Sequence, residues 1–283
     1  MNRLSSGEQN DQTFKLMAVL AHPDDESMGF GGTLAKYSAE EVETYLVTAT
    51  RGERGRFFSP DKKTEPAEVG RVREAELREA AAVLGVREVL ILGYPDGAVD
   101  QIDAATAIAA IVQQIRRVRP HVVVTFGPDG AYGHPDHIAI SQFTAAAVVC
   151  AADAGYGARD GSRGGPSSAH RVAKLYNLAW RNDKWQAYQA AFRKLTSMVD
   201  GVARQANPWP DWAVTTEVDT SSYWPVVWKA VCCHQTQVSM YERLGQLSEE
   251  QQKVLWGSQE FYRVHSAANG GRKLENDLFE GLR

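Results

Sequence analysis

The regular alternation of apolar strand-like runs with helical periods is the feature that most restricts the fold of this 283-residue chain. Phe14 to Ala21 reads as a buried strand, and Gly29 to Ala39 follows as a helix of small residues. Val42 to Thr48 reads as a second strand, and Ala67 to Leu84 as a strong helix with Gly85 as its left-handed cap. Val89 to Leu92 is a short strand closed by the turn Tyr94-Pro95-Asp96-Gly97. Ala104 to Val118 reads as a helix that must stop before Pro120. His121 to Phe126 is a β-branched run of the kind buried in parallel sheets, and Pro135 opens a helix to about Ala152. This succession predicts an α/β fold of Rossmann-like, doubly wound type, with a mostly parallel sheet and helices on both faces.

Beyond a Gly/Ser/Arg-rich stretch at Gly155 to Ser168 the pattern weakens. Strands are expected at Val172 to Ala179, Val214 to Val218 and Phe261 to His265, with helices from Asp183 and over Ser221 to Cys233. With no internal repeat or clear boundary, residues 13–283 read as a single domain with an elaborated C-terminal half from about 170. Residues 1–12 read as a flexible polar arm.

Two segments sit at the ends of expected strands: Ala21-His22-Pro23-Asp24-Asp25-Glu26 and Gly133-His134-Pro135-Asp136-His137. Together they carry three of the seven histidines and four carboxylates in eleven residues. In an open parallel sheet, ligands bind outside the carboxyl ends of the strands, where strand order reverses. His22 and Asp25 are three apart and can converge, whereas the adjacent Asp24 and Asp25 diverge. Asp25 could then coordinate a metal while Asp24 holds a water. His134 and His137 have the same three-residue spacing. Two histidines and a carboxylate with an open position describe a catalytic zinc site, and the same ligands would suit iron or cobalt.

Simpler readings exist. The acidic run could serve a helix N-terminus, His134 and Asp136 could cap a helix, and Asp136 could orient a histidine. Capping alone does not call for two matching His-Pro-Asp cores. Gly29-Phe30-Gly31-Gly32 does not match the dinucleotide fingerprint, and the preceding carboxylates would repel a pyrophosphate.

Charge and cysteine usage narrow the class of function. A net charge of −4 with scattered basic residues argues against nucleic-acid binding. No apolar run is long enough to span a membrane, and no signal peptide is visible. Three cysteines, two of them adjacent, do not make a disulfide framework, so the cytoplasm is the expected compartment. A homo-oligomer is compatible with the sequence.

The two segments, in this order, resemble the signatures of the PIG-L/LmbE-like family of zinc-dependent N-acetylglucosaminyl deacetylases. Thr50-Arg51-Gly52-Glu53, Gly93-Tyr94-Pro95-Asp96-Gly97 and Pro120 to Phe126 are also similar to that family, so the resemblance covers roughly Val19 to Ser141. Downstream it is thin, with Cys233-His234-Gln235-Thr236-Gln237 similar to a recurring His-x-x-Gln segment. The resemblance implies that His22, Asp25 and His137 hold one Zn2+, that Asp24 is the general base, and that His134 supports the transition state. It implies an active-site role for Tyr132, as in mycothiol-pathway members, and substrate contacts for Arg73 and Asp96. Read alone, Arg73 is equally a helix-surface partner of Glu76 or Glu79, Asp96 could simply complete a turn, and His234 could face the cleft or, as its position favours, be an ordinary helix-end residue.

The activity expected is metal-dependent hydrolytic removal of acetyl from a small N-acetylated amino sugar of the N-acetylglucosamine type. Alternatives are an amidase acting on a larger amide, such as a thiol conjugate, and a non-catalytic metal- or sugar-binding module. A free carboxylate at Asp24 favours an enzyme over a binding module.

Overall fold

A computed structural model describes residues 13–55, 64–157, 168–192, 196–199, 201–205, 207–237, 243–268 and 273–283. The expected N-terminal arm, residues 1–12, lies outside these.

The chain runs β1 (Lys15–Leu20), α1 (Asp25–Met28), α2 (Gly31–Ala39), β2 (Glu43–Thr48), α3 (Pro66–Val83), β3 (Glu88–Ile91), α4 (Ala104–Val118), β4 (Val122–Thr125), the single turn α5 (Gly130–Gly133) and α6 (Pro135–Ala152). After these come β5 (Lys174–Leu178), α7 (Asn182–Phe192), a hairpin of β6 (Ser197–Val199) and β7 (Val202–Arg204), β8 (Thr216–Asp219), α8 (Trp224–Cys233), α9 (Glu249–Trp256) and β9 (Ser258–Ser266).

A seven-stranded sheet has the order β3-β2-β1-β4-β5-β9-β8. The first five strands are parallel; β9 runs antiparallel to both β5 and β8. Strand order therefore reverses between β1 and β4, the place where both histidine-bearing segments leave the sheet. Because parallel crossovers are right-handed, the reversal puts α2 and α3 on one face and α4 and α6 on the other. The packing of α4 on α6, and of α2 and α3 on α8, agrees with two separate layers.

The core follows from this. The four residues of β4 are buried, as are Leu16 to Leu20 in β1, and β-branched side chains fill both sheet faces. At the end of α3, Gly85 adopts φ +75 as expected. A Cβ there would meet Ser38 Oγ at 2.2 Å, so both conformation and space call for glycine. The expected helix at Gly29 to Ala39 is α2, which starts at Gly31 and is preceded by the separate turn α1, which carries Asp25 and Glu26.

Candidate metal centre and polar cleft

The loop after β1 and the segment after β4 meet at the switch point, and three ligand-type side chains converge there. His22 Nδ1 lies 3.2 Å from His137 Nε2. His137 Nε2 lies 3.3 Å from Asp25 Oδ1, and His22 Nδ1 lies 3.7 Å from Asp25 Oδ2. Tetrahedral zinc with nitrogen and oxygen donors at ordinary bond lengths requires donor–donor edges of about 3.4 Å. The side chains of this triangle therefore approach one another on the scale of a small divalent cation's coordination shell, the two histidines meeting different oxygens of Asp25. His22 with His134 and His137, and His22 with Asp96 and Asp136, also bring three donor atoms close enough to hold one ion.

The outer hydrogen bonds aim these atoms inward. His137 Nδ1 lies 3.2 Å from the Gly130 carbonyl, which accepts its hydrogen and leaves Nε2 as the free lone pair. His22 Nε2 lies 3.0 Å from Asp136 Oδ2 and 3.2 Å from Asp96 Oδ1, so Nδ1 is turned into the triangle. Asp136 is in turn fixed by the amides of Gly97 and Val99. Asp25 Oδ2 accepts from the amide of His22 at 2.7 Å.

Protonation responds to this crowding. Burial opposes charge on His22, but Asp136, Asp96 and Asp25 outweigh it and raise its pKa to about 10. Burial raises Asp25 to about 7 against the pull of His22. Burial and the neighbouring histidines hold His137 well below its usual value, and burial with His22 lowers His134 to about 4. The carboxylates around His22 thus favour positive charge at this point, which a bound cation would also supply.

Asp24 caps α1 with φ 104, a left-handed conformation rare outside glycine. Its Oδ2 accepts from Arg73 Nη2 at 3.0 Å. Arg73 also donates to the carbonyls of Gly52 and Pro23 and is 4% exposed, so it is a buried clamp on the Asp24 loop rather than a helix-surface partner of Glu76 or Glu79. His134 caps α6, its Nδ1 accepting from the Asp136 amide at 3.2 Å. Asp136 thus serves both simpler readings, lying in the first turn of α6 while orienting His22. Burial and the surrounding carboxylates raise Tyr132 well above the usual phenol range.

A cleft of about 650 Å3 opens beside the triangle, lined by His22, Asp24, Arg73, Asp96, Tyr132 and His134. All eight sequence-derived site residues are therefore in or beside one place. Arg54, Asp100, Gln101 and Gln237 also line the cleft and were not found from sequence. Arg54 directly follows the Thr50-Arg51-Gly52-Glu53 segment, and Gln237 belongs to the His-x-x-Gln segment; Asp100 and Gln101 carry no local signal. No tryptophan lines this cleft among the described residues.

His234 is fully buried and its Nε2 lies 2.7 Å from Glu26 Oε1. It is the C-cap of α8, as its sequence position predicts, but its side chain is spent on α1.

The family model described as GlcNAc-PI de-N-acetylase, PIG-L, matches residues 17–148, a span holding the whole triangle. Across 99% of this chain and 86% of its own length, the 1D-myo-inositol 2-acetamido-2-deoxy-alpha-D-glucopyranoside deacetylase of Kineococcus radiotolerans is 34% identical. The chain belongs to the PIG-L family. It is accordingly a hydrolase of the de-N-acetylase class, and its His/Asp cluster is of a kind that can hold a metal ion. The N,N'-diacetylchitobiose deacetylase of Pyrococcus horikoshii shares the fold with a TM-score of 0.64 and 19% identity, over 88% of this chain and 83% of that one. So does the 4-carboxy-2-hydroxymuconate hydratase of Pseudomonas putida KT2440, with a TM-score of 0.67 and 18% identity, over 92% and 99%. A hydratase on this fold shows that the fold alone does not determine the chemistry.

Proposed function

We propose that this PIG-L protein removes the acetyl group from an inositol-linked N-acetylglucosamine, with zinc held by His22, Asp25 and His137. The observation that carries the reading is the triangle of inward-facing donor atoms beside a cleft bearing Asp24, Tyr132 and His134. Its dimensions and outer hydrogen bonds support the ligand set. The sugar and its inositol aglycone are supported by the name and near full-length similarity of the Kineococcus radiotolerans relative. The cleft volume suits such a ligand, and Arg54, Asp96, Asp100, Gln101 and Gln237 offer donors and acceptors for its hydroxyls. Free thiols at Cys150, Cys232 and Cys233 are in keeping with a cytoplasmic enzyme.

Zinc, when bound, supplies Lewis acidity, polarising the acetyl carbonyl and bringing the pKa of a water to about 7. The chain supplies the rest. The Asp24 carboxylate takes the proton of the attacking water and returns it to the departing amine. Because His134 Nδ1 accepts the Asp136 amide, the neutral ring carries its hydrogen on Nε2 and can donate to the developing oxyanion. Burial and the nearby His22 keep that ring neutral near pH 7. Tyr132, held protonated by its surroundings, is a second donor.

The test is acetate release from N-acetylglucosaminyl-inositol, free N-acetylglucosamine and larger N-acetylated conjugates, with chelated protein before and after zinc addition. Zinc-restored release with the inositol conjugate preferred is expected. Release from none of them by zinc-loaded protein would overturn the reading. Asp24→Asn should keep the metal and lose about 10²–10⁴ in kcat.

A further inference from the structure

Glu26 and His234 form a buried pair that the mechanism above does not use. Both side chains are 0% exposed, and His234 Nε2 approaches Glu26 Oε1 at 2.7 Å. A buried ion pair seldom stabilises a fold more than well-packed apolar residues would. Stability therefore does not account for its presence, and its geometry offers another reason.

Glu26 reaches forward as well as back. Its second oxygen, Oε2, accepts the backbone amide of Asp24 at 3.0 Å, while Ser27 Oγ donates to Oε1 at 2.6 Å. That amide belongs to the residue held at φ 104, a left-handed conformation that is costly for a side chain other than glycine. Such a conformation persists only where surrounding contacts overdetermine it.

His234 is itself anchored. Its amide donates to the Val231 carbonyl at the end of α8, and its carbonyl accepts from the Gln237 amide. Two residues on, the Thr236 amide and hydroxyl each donate to the Glu76 carboxylate at 2.7 Å. Glu76 lies on α3 one turn after Arg73, the residue that grips the Asp24 carboxylate. The carboxylate of Asp24 is thus held from α3, and its amide from α8 through His234 and Glu26.

We infer that Glu26 and His234 are positioning residues for Asp24, bracing its backbone so that its carboxylate faces the reacting centre. The inference rests on the reading of Asp24 as the general base. Neither residue touches the cleft, so neither should contribute to substrate binding.

The experiment is a pair of double-mutant cycles on the zinc-loaded enzyme. Glu26→Gln and His234→Ala are each made alone and in an Asp24→Asn background, with kcat, KM, zinc content and thermal unfolding recorded. In Glu26→Gln the side-chain volume is kept, but one of the two oxygens that between them serve three donors is lost. Each single variant should lose about 10–100-fold in kcat, with KM and zinc content near wild type. The same change in the Asp24→Asn background should cost less than about threefold, because its effect passes through Asp24. An equal loss in both backgrounds, no loss, or a loss of zinc would overturn the inference, the last by moving the effect to Asp25. Unfolding of both variants would overturn it too, assigning the pair to folding alone. An Asp24→Asn enzyme with near wild-type rate would instead remove the base reading itself.

Discussion

His22 and Asp136 are 114 residues apart in sequence, yet Nε2 of one lies 3.0 Å from Oδ2 of the other. The contact crosses the switch point between β1 and β4 and turns His22 Nδ1 toward His137 and Asp25. Asp136 is itself held by two amides of the loop after β3, so three strand ends cooperate in setting one imidazole. Partners of this kind commonly contribute about 10- to 100-fold to metal affinity. Asp136→Asn should therefore weaken zinc binding by about that factor in a chelator-competition titration. Unchanged affinity would mean that the ring is oriented by Asp96 alone.

Gly52 and Arg73 make a second dependence visible. Gly52 has φ +68, and a Cβ there would lie 2.0 Å from Arg73 Nη1. Gly52→Ala must then strain the backbone by about 1 kcal/mol and push the guanidinium from its place beside Asp24. The expected result is a kcat at least about tenfold lower, as for other displaced catalytic groups, with zinc content preserved. A wild-type rate would show that Asp24 does not need Arg73.

Much of this was legible because the N-terminal half obeys simple periods. The run Val122-Val123-Val124-Thr125 has one reading, a buried parallel strand, and the two His-Pro-Asp segments fall where strands end. Arg73 was ambiguous because an arginine on a helix is normally solvated. Yet Val69, Gly70, Arg73, Glu76, Leu77 and Ala80 form one buried stripe of α3, and two charges on such a stripe mark an internal site. The helix Glu249–Trp256 was missed although Ser248 and Gln251 form a capping box. The hairpin of β6 and β7 was missed because its strands are three residues each, too short to show alternation. Asp100 and Gln101 reach the cleft through loop geometry that no period encodes.

Metal binding should depend on pH in a defined direction. His22 is protonated up to about pH 10 and Asp25 up to about 7 in the metal-free protein. His137 is already neutral near pH 7 and has no proton to lose. Ligation requires the unprotonated forms. Zinc affinity should rise about tenfold per pH unit above pH 7, where one proton is displaced, and about a hundredfold per unit below it, where two are. Calorimetric titrations in buffers of differing ionisation enthalpy would count these protons. Affinity that does not change with pH would contradict the ligand set.

Glu275 offers a test of what holds the antiparallel edge of the sheet. It is 2% exposed and accepts from Lys174 Nζ at 2.9 Å, Tyr176 Oη at 2.7 Å and Thr216 Oγ1 at 2.9 Å, with Arg263 Nη1 at 2.5 Å. Burial alone would raise its pKa, but Lys174, Tyr176 and Thr216 outweigh it and hold the carboxylate below its ordinary value. A group with a depressed folded-state pKa stabilises the fold above its unfolded pKa. That contribution fades as pH falls through the folded one. In Glu275→Gln, the fully buried Lys174 loses its counter-ion, a change that costs about 3–5 kcal/mol in comparable buried pairs. The variant should melt well below the wild type at neutral pH, and the gap should narrow in acid, where the wild-type carboxyl also gains a proton. Thermal unfolding of both proteins from about pH 7 down to pH 3 measures this. A gap that stays constant across the range would mean that the Glu275→Gln variant fails by packing and not by charge.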